Sequence, residues 1–171
     1  MTHKAHLESL KEALQQKGYQ CEMVDKAHPK LEVTLKGGGD TRIWKALLSP
    51  TSQKLGLRKE SEKAHFLQLF LPFPYGCEAE NVQNTARLLL LINKSLPFPA
   101  FGLSEVEGVI YYRHVLYCHH NTIPTMLVCT LLGALLLYVD SLSPMIELVS
   151  SGQKGLHEVL EEVLKSDFTS S

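Results

Sequence analysis

Cys118, His119 and His120 are consecutive, and thiolate and imidazole are both good ligands for zinc. Three neighbours in sequence rarely aim three side chains at one ion unless the backbone is extended, and none of the four cysteines sits in a CxxC pair. His114 lies four residues earlier, about 13 Å away if the segment is a strand. A metal-binding protein or enzyme using Cys118, His119 and His120 is therefore the alternative reading, and a loop that leaves a strand and enters a helix is the simpler one. A Cys/His nucleophile needs an orienting third group and an oxyanion site, and the sequence offers neither. Gly37, Gly38 and Gly39 lack the GK[ST] ending of a phosphate loop and no helix follows them, so they read as a turn. The residues thus predict no catalysis, no cofactor and no assigned metal.

The elements around these residues are easier to read than their chemistry. The stretch from Val82 to Cys118 organises the chain. It reads as a helix with Val82, Ala86, Leu89 and Leu90 on one face and Asn93 on the same line, then a stop at Pro97 and Pro99. A strand AFGL, a turn at Gly108 and a strand Val109 to Cys118 follow. In that strand Val109, Tyr111, Arg113, Val115 and Tyr117 point one way and Ile110, Tyr112, His114, Leu116 and Cys118 the other.

Before it, Thr2 to Lys17 is an amphipathic helix with Leu7, Leu10 and Leu14 on one stripe, capped by Thr2 and ended by Gly18. Cys21 to Val24 is weakly strand-like. Leu31 to Lys36 and Thr41 to Leu48 form a hairpin around the glycines, Ser49 to Lys63 reads as an exposed polar loop, and Ala64 to Leu71 is a third strand closed by Pro72, Pro74 and Gly76. After it, Thr122 to Val149 is an apolar helix that Pro144 should kink or divide, and a last helix runs near Gln153 to Lys165, followed by a frayed tail.

The predicted order is α-β-β-β-α-β-β-α-α: an α+β domain in which a three-stranded meander and a two-stranded hairpin make an antiparallel sheet with helices on one face. At 171 residues and 44% hydrophobic content, a single domain spanning 1–171 is expected. A net charge of −1 provides no global field for nucleic acid or anionic membrane, so neither is expected as a partner. Cys21, Cys77, Cys118 and Cys129 are far apart, as expected of free thiols in a cytoplasmic protein, and the charged N-terminal residues lack a signal peptide's apolar centre. The 18 uncharged residues from Thr122 to Val139 are at the lower limit for a membrane span, yet Asp140 follows directly and no basic cluster flanks them. A helix buried between a sheet and its neighbours is the expectation.

Two cations most need a neighbour. Arg113, within an apolar strand, and Arg87, within the central helix, either pair with Glu105 or Glu107 or extend their stems over the surface with the head in water. Trp44, Phe66, Phe70, Phe73 and Tyr75 cluster by sequence, mostly as core, and any left exposed beside the PFPYG turn marks a partner site.

The succession NVQNTARLLLLINKSLPFPAFGLSEVEGVIYYRHVL, followed by an apolar helix ending in VDSLSPMIELVSSG, resembles the YbjN-type bacterial sensory-regulator domain, a group similar in fold to the class I type III secretion (Tir) chaperones. The features that carry the likeness are Asn93 at the helix end, Phe101 and Leu103 in the first strand, Gly108 in the turn, and Tyr111 and Arg113 in the second strand. The resemblance implies a non-catalytic protein-binding module, often homodimeric. Its client would be a segment of a secreted effector, as for a secretion chaperone, or another cytoplasmic protein, as for a regulator. Phe73, Tyr75, Val109, Tyr111, Arg113, Val115 and Tyr117 are the expected partner-binding residues, with the central helix and the strand Val109 to Tyr117 as the dimer contact.

Overall fold

A computed structural model describes residues 3–25, 27–37, 42–54, 63–118 and 123–169. The elements are α1 (His3–Gln16), β1 (Gln20–Val24), β2 (Lys30–Lys36), β3 (Ile43–Lys54), β4 (Lys63–Gly76), a 3₁₀ turn (Ala79–Asn81), α2 (Val82–Ser95), β5 (Phe101–Ser104), β6 (Val109–Cys118), α3 (Thr125–Ser150) and α4 (Leu156–Thr169). The fold is α+β, with a six-stranded antiparallel sheet in the order β1-β2-β3-β4-β6-β5. The chain divides into two compact units, one of Met1–Leu71 with Arg113–Leu137 and one of Pro72–Tyr112 with Tyr138–Ser171.

In the first unit, α1 forms because Leu7, Leu10 and Leu14 recur at helical spacing, and all three are buried. It stops at Gly18, whose φ of 89° lets the Tyr19 amide turn back to Leu14 O at 3.1 Å. The strands alternate cleanly: Leu31, Val33, Leu35, Trp44, Ala46, Leu48, Leu67 and Leu69 are buried. Lys36 pairs with Ile43, which is the predicted hairpin; Gly38 to Thr41 lie outside the described residues, as does the Thr2 cap. The weak signal at Cys21 to Val24 becomes a full sheet strand, paired with β2 from Gln20↔Thr34 to Val24↔Lys30.

The polar loop expected from Ser49 to Lys63 is corrected at its ends, and residues 55–62 lie outside the described residues. Ser49 to Lys54 continues β3 and pairs with β4, from Ser49↔Gln68 to Lys54↔Lys63. Polar residues suffice there because backbone hydrogen bonds, rather than burial, hold the far end of a long hairpin. β4 likewise runs through Pro72 and Pro74 to Gly76. Both prolines are exposed while Leu71 and Phe73 are buried, so the strand's two-residue period carries straight through them.

In the second unit, α2 buries Thr85, Leu88, Leu89 and Ile92. This corrects the predicted stripe: Leu90 is 69% exposed. Phe73, Phe101, Tyr112 and Tyr138 form a chain of ring contacts with centroids 6.1, 5.2 and 6.4 Å apart. The Tyr75 hydroxyl donates to Ser143 O at 2.8 Å, and the Tyr112 hydroxyl to Phe98 O at 3.2 Å. Burial beside Tyr138 pushes the Tyr112 phenol up to about 12.

Helix α3 departs from expectation in its exposure. Pro144 lies inside it, exposed to solvent, and does not divide it. The helix is long and apolar enough to cross a membrane by length and composition, and only 28% of its most apolar window is buried. Val128, Leu131, Leu132 and Leu135 face the core, whereas Met126, Leu127 and Leu137 are exposed, so the helix buries one side and is not enclosed. Gly152, at φ 71°, ends it, with Lys154 N donating to Leu148 O at 3.0 Å. α4 begins three residues later than the predicted start and continues to Thr169.

Candidate protein-binding face

One side of the strands in the first unit carries the core; the other meets solvent. Register decides which residues share that outer side. Leu47 lies opposite Phe70, Ser49 opposite Gln68 and Thr51 opposite Phe66, while Arg113, Val115 and Tyr117 alternate outward along β6. Phe66 and Tyr117 meet edge to face with centroids 5.9 Å apart. Arg113 Nε donates to Gln68 Oε1 at 2.9 Å, a neutral amide in place of Glu105 or Glu107, while the side chain is exposed as the alternative of a head in water expects. The acceptor is a neutral amide oxygen and takes one of the five guanidinium N–H donors.

The face is graded. Toward β2 it is polar: Lys45 Nζ bridges Glu32 Oε1 at 2.7 Å, and that hydrogen bond raises the lysine pKa. Toward β4 and β6 it is aromatic and aliphatic, with Val115 43% and Tyr117 60% exposed. Ile43, on the same outward phase of β3, is also exposed. Apolar and aromatic groups around a cation resemble the composition of the centre of a protein interface.

The predicted partner-binding residues divide between the units. Arg113, Val115 and Tyr117 belong to this face. Val109, Tyr111, Phe73 and Tyr75 belong to the second unit, where Phe73 is 7% exposed and part of the core and Tyr75 is tied to Ser143. Tyr111 lies across Gly102, its strand partner: a Cβ on Gly102 would sit 2.6 Å from the ring. The sequence does not mark Gln68 or Leu47 as site residues, and its aromatic clustering places Phe66 and Phe70 mainly in the core. Their signal was available, since Phe66, Gln68 and Phe70 alternate with Leu67, Leu69 and Leu71, and only one of the two sets can face inward.

For the alternative metal site, His119 and His120 lie outside the described residues. Cys118 is buried at the inward end of β6, and that burial pushes its thiol up, as it does the thiol of Cys21. Among the described residues, no group of three His, Cys, Asp or Glu side chains is close enough to share an ion.

The scaffold is α+β, with an aromatic-rich outer sheet surface in its first unit. Residues 6–125 match the YbjN family, described as "Putative bacterial sensory transduction regulator", and the chain belongs to that family. The match ends at the first residue of α3, so the likeness read as far as VDSLSPMIELVSSG is narrower than the sequence suggested. No curated protein matches the chain.

Proposed function

We propose that this chain is a non-catalytic regulatory domain that acts in the bacterial cytoplasm by binding another protein through the outer face of β3, β4 and β6 in its first unit. The observation that carries this reading is the solvent exposure of Val115 and Tyr117 beside an arginine held by Gln68. Single exposed apolar residues are ordinary, whereas a cluster that includes aromatics and a pre-positioned arginine is what a partner's apolar segment would cover. The family description supports a regulatory role, and in this reading the client is another cytoplasmic protein. The type III secretion chaperone-like reading differs in its client, a secreted effector.

Self-association is a second element of the proposal. On α2, Leu90 and the 44%-exposed Leu91 are flanked by Arg87 and Lys94, and the helix contains no acidic residue. A homodimer would bury the two leucines.

The test is a comparison of retention from a lysate of the source bacterium. The wild type, the face variant Val115→Glu/Tyr117→Ser and the control Leu137→Glu on α3 are immobilised side by side. The proposal expects one protein held by the wild type and the control and lost by the face variant. Equal retention by all three would sink it.

A further inference from the structure

The last strand of the sheet, β5, has only four residues and is an edge. Edges present unpaired backbone groups that invite another strand. Here a side chain occupies them. Asn93, in the last turn of α2, accepts from the amides of Ala100 at 3.1 Å and Phe101 at 3.0 Å through Oδ1, and donates through Nδ2 to Phe101 O at 2.8 Å. A primary amide offers the same donor and acceptor as a peptide group, so Asn93 bonds to Phe101 as a residue of a neighbouring strand would.

The register fixes what remains open. Phe101 lies opposite Tyr112, and its only N–H is directed at Asn93, so this pair does not exchange hydrogen bonds across the ladder. By the strand period, Gly102 and Ser104 turn their polar groups toward β6, and Leu103 turns its own outward. Among the described residues, Asn93 therefore reduces the available edge to the single residue Leu103, too short for a strand to grip.

We infer that Asn93 is an edge guard: it holds closed an interaction surface whose occupant would be the β5 edge of a second copy, paired antiparallel about a two-fold axis. A second copy fits because antiparallel pairing of two identical edges is self-complementary and closed by symmetry. The inference is independent of the proposed binding face in the first unit. A looser version of the same device occurs in the first unit on β1, where Gln15 Nε2 approaches Cys21 O at 3.5 Å.

The experiment measures mass by size exclusion with light scattering over a concentration series, together with amide exchange at Ala100 and Phe101. Asn93→Ala should speed exchange at both amides at least tenfold and raise the mass above that of the wild type as concentration increases. Adding Leu103→Pro, which deletes the next outward donor, should return the mass to the wild-type value. If Asn93→Ala does not fold, Asn93→Asp serves. It keeps the two accepted bonds and loses the donated one, so it should show a smaller rise in mass. A wild-type mass for the folded variant at every concentration, unchanged exchange at the two amides, or larger assemblies that survive Leu103→Pro would overturn the inference.

Discussion

Arg113 and Gln68 are joined by a 2.9 Å hydrogen bond between two outward-facing side chains, a cation donating to a neutral amide. Such a bond adds little to stability because both ends are exposed to water. Replacing either residue with Ala should change unfolding free energy by no more than about 0.5 kcal/mol. Partner retention should instead fall by roughly tenfold, the scale of one interface hot-spot residue. Urea unfolding and binding measured on the same preparations check this. Arg113→Lys should not rescue binding, because an ammonium lacks both the Nε–H that Gln68 holds and the planar donor head that this bond orients.

Gly108 should be the least replaceable of the turn glycines. Its φ is 66°, its carbonyl accepts from Cys77 N at 2.7 Å, and an added Cβ would stand 2.8 Å from Cys77 O, a backbone atom that cannot rotate away. Gly108→Ala should lower unfolding free energy by about 2–3 kcal/mol, combining left-handed strain and overpacking. Gly18→Ala carries the strain alone, since nothing lies within 4 Å of its Cβ, and should cost about 1 kcal/mol. The ratio of the two, from denaturation curves, is the check.

Burial pushes the His114 imidazole below its usual value of 6.5, so the folded chain binds the proton less readily than the unfolded chain. The stability it contributes is complete above pH 6.5 and is lost as pH falls through the lowered folded value. His114→Gln should therefore flatten the fall in urea midpoint between pH 7 and pH 5 relative to the wild type. A parallel fall in both proteins would contradict this account of His114.

If α2 is a self-association surface, the wild type should scatter light as a dimer at micromolar concentration, and Leu90→Glu should halve the mass while leaving the far-ultraviolet spectrum unchanged. A monomeric wild type would remove the dimer from the proposed function.

The sequence disclosed what periodicity controls. Leu7, Leu10 and Leu14 form an unambiguous stripe, the alternation of β2 assigns its inward residues correctly, and that of β6 separates its two faces. Uniform runs were the difficulty. Leu88 to Leu91 are four consecutive leucines, so spacing alone could not choose between a face centred on Leu90 and the one that buries Thr85, Leu88, Leu89 and Ile92. The same uniformity hid the exposed side of α3. Lengths fixed by hydrogen bonding also escaped, because Ser49 to Lys54 join a strand through backbone pairing with no apolar signal. At the candidate face, Arg113, Val115 and Tyr117 were legible from β6, whereas the matching residues Leu47 and Gln68 required the cross-strand register, which composition does not encode.

The binding face is tested most directly by a photo-crosslinking residue placed at position 117 and, separately, at position 137, in cells of the source bacterium. Both positions are exposed, and both belong to the first unit. A discrete crosslinked protein from position 117, absent from position 137 and lost when Arg113→Ala is added, is the predicted result. A crosslink from 137 with none from 117 would contradict the assignment of this face.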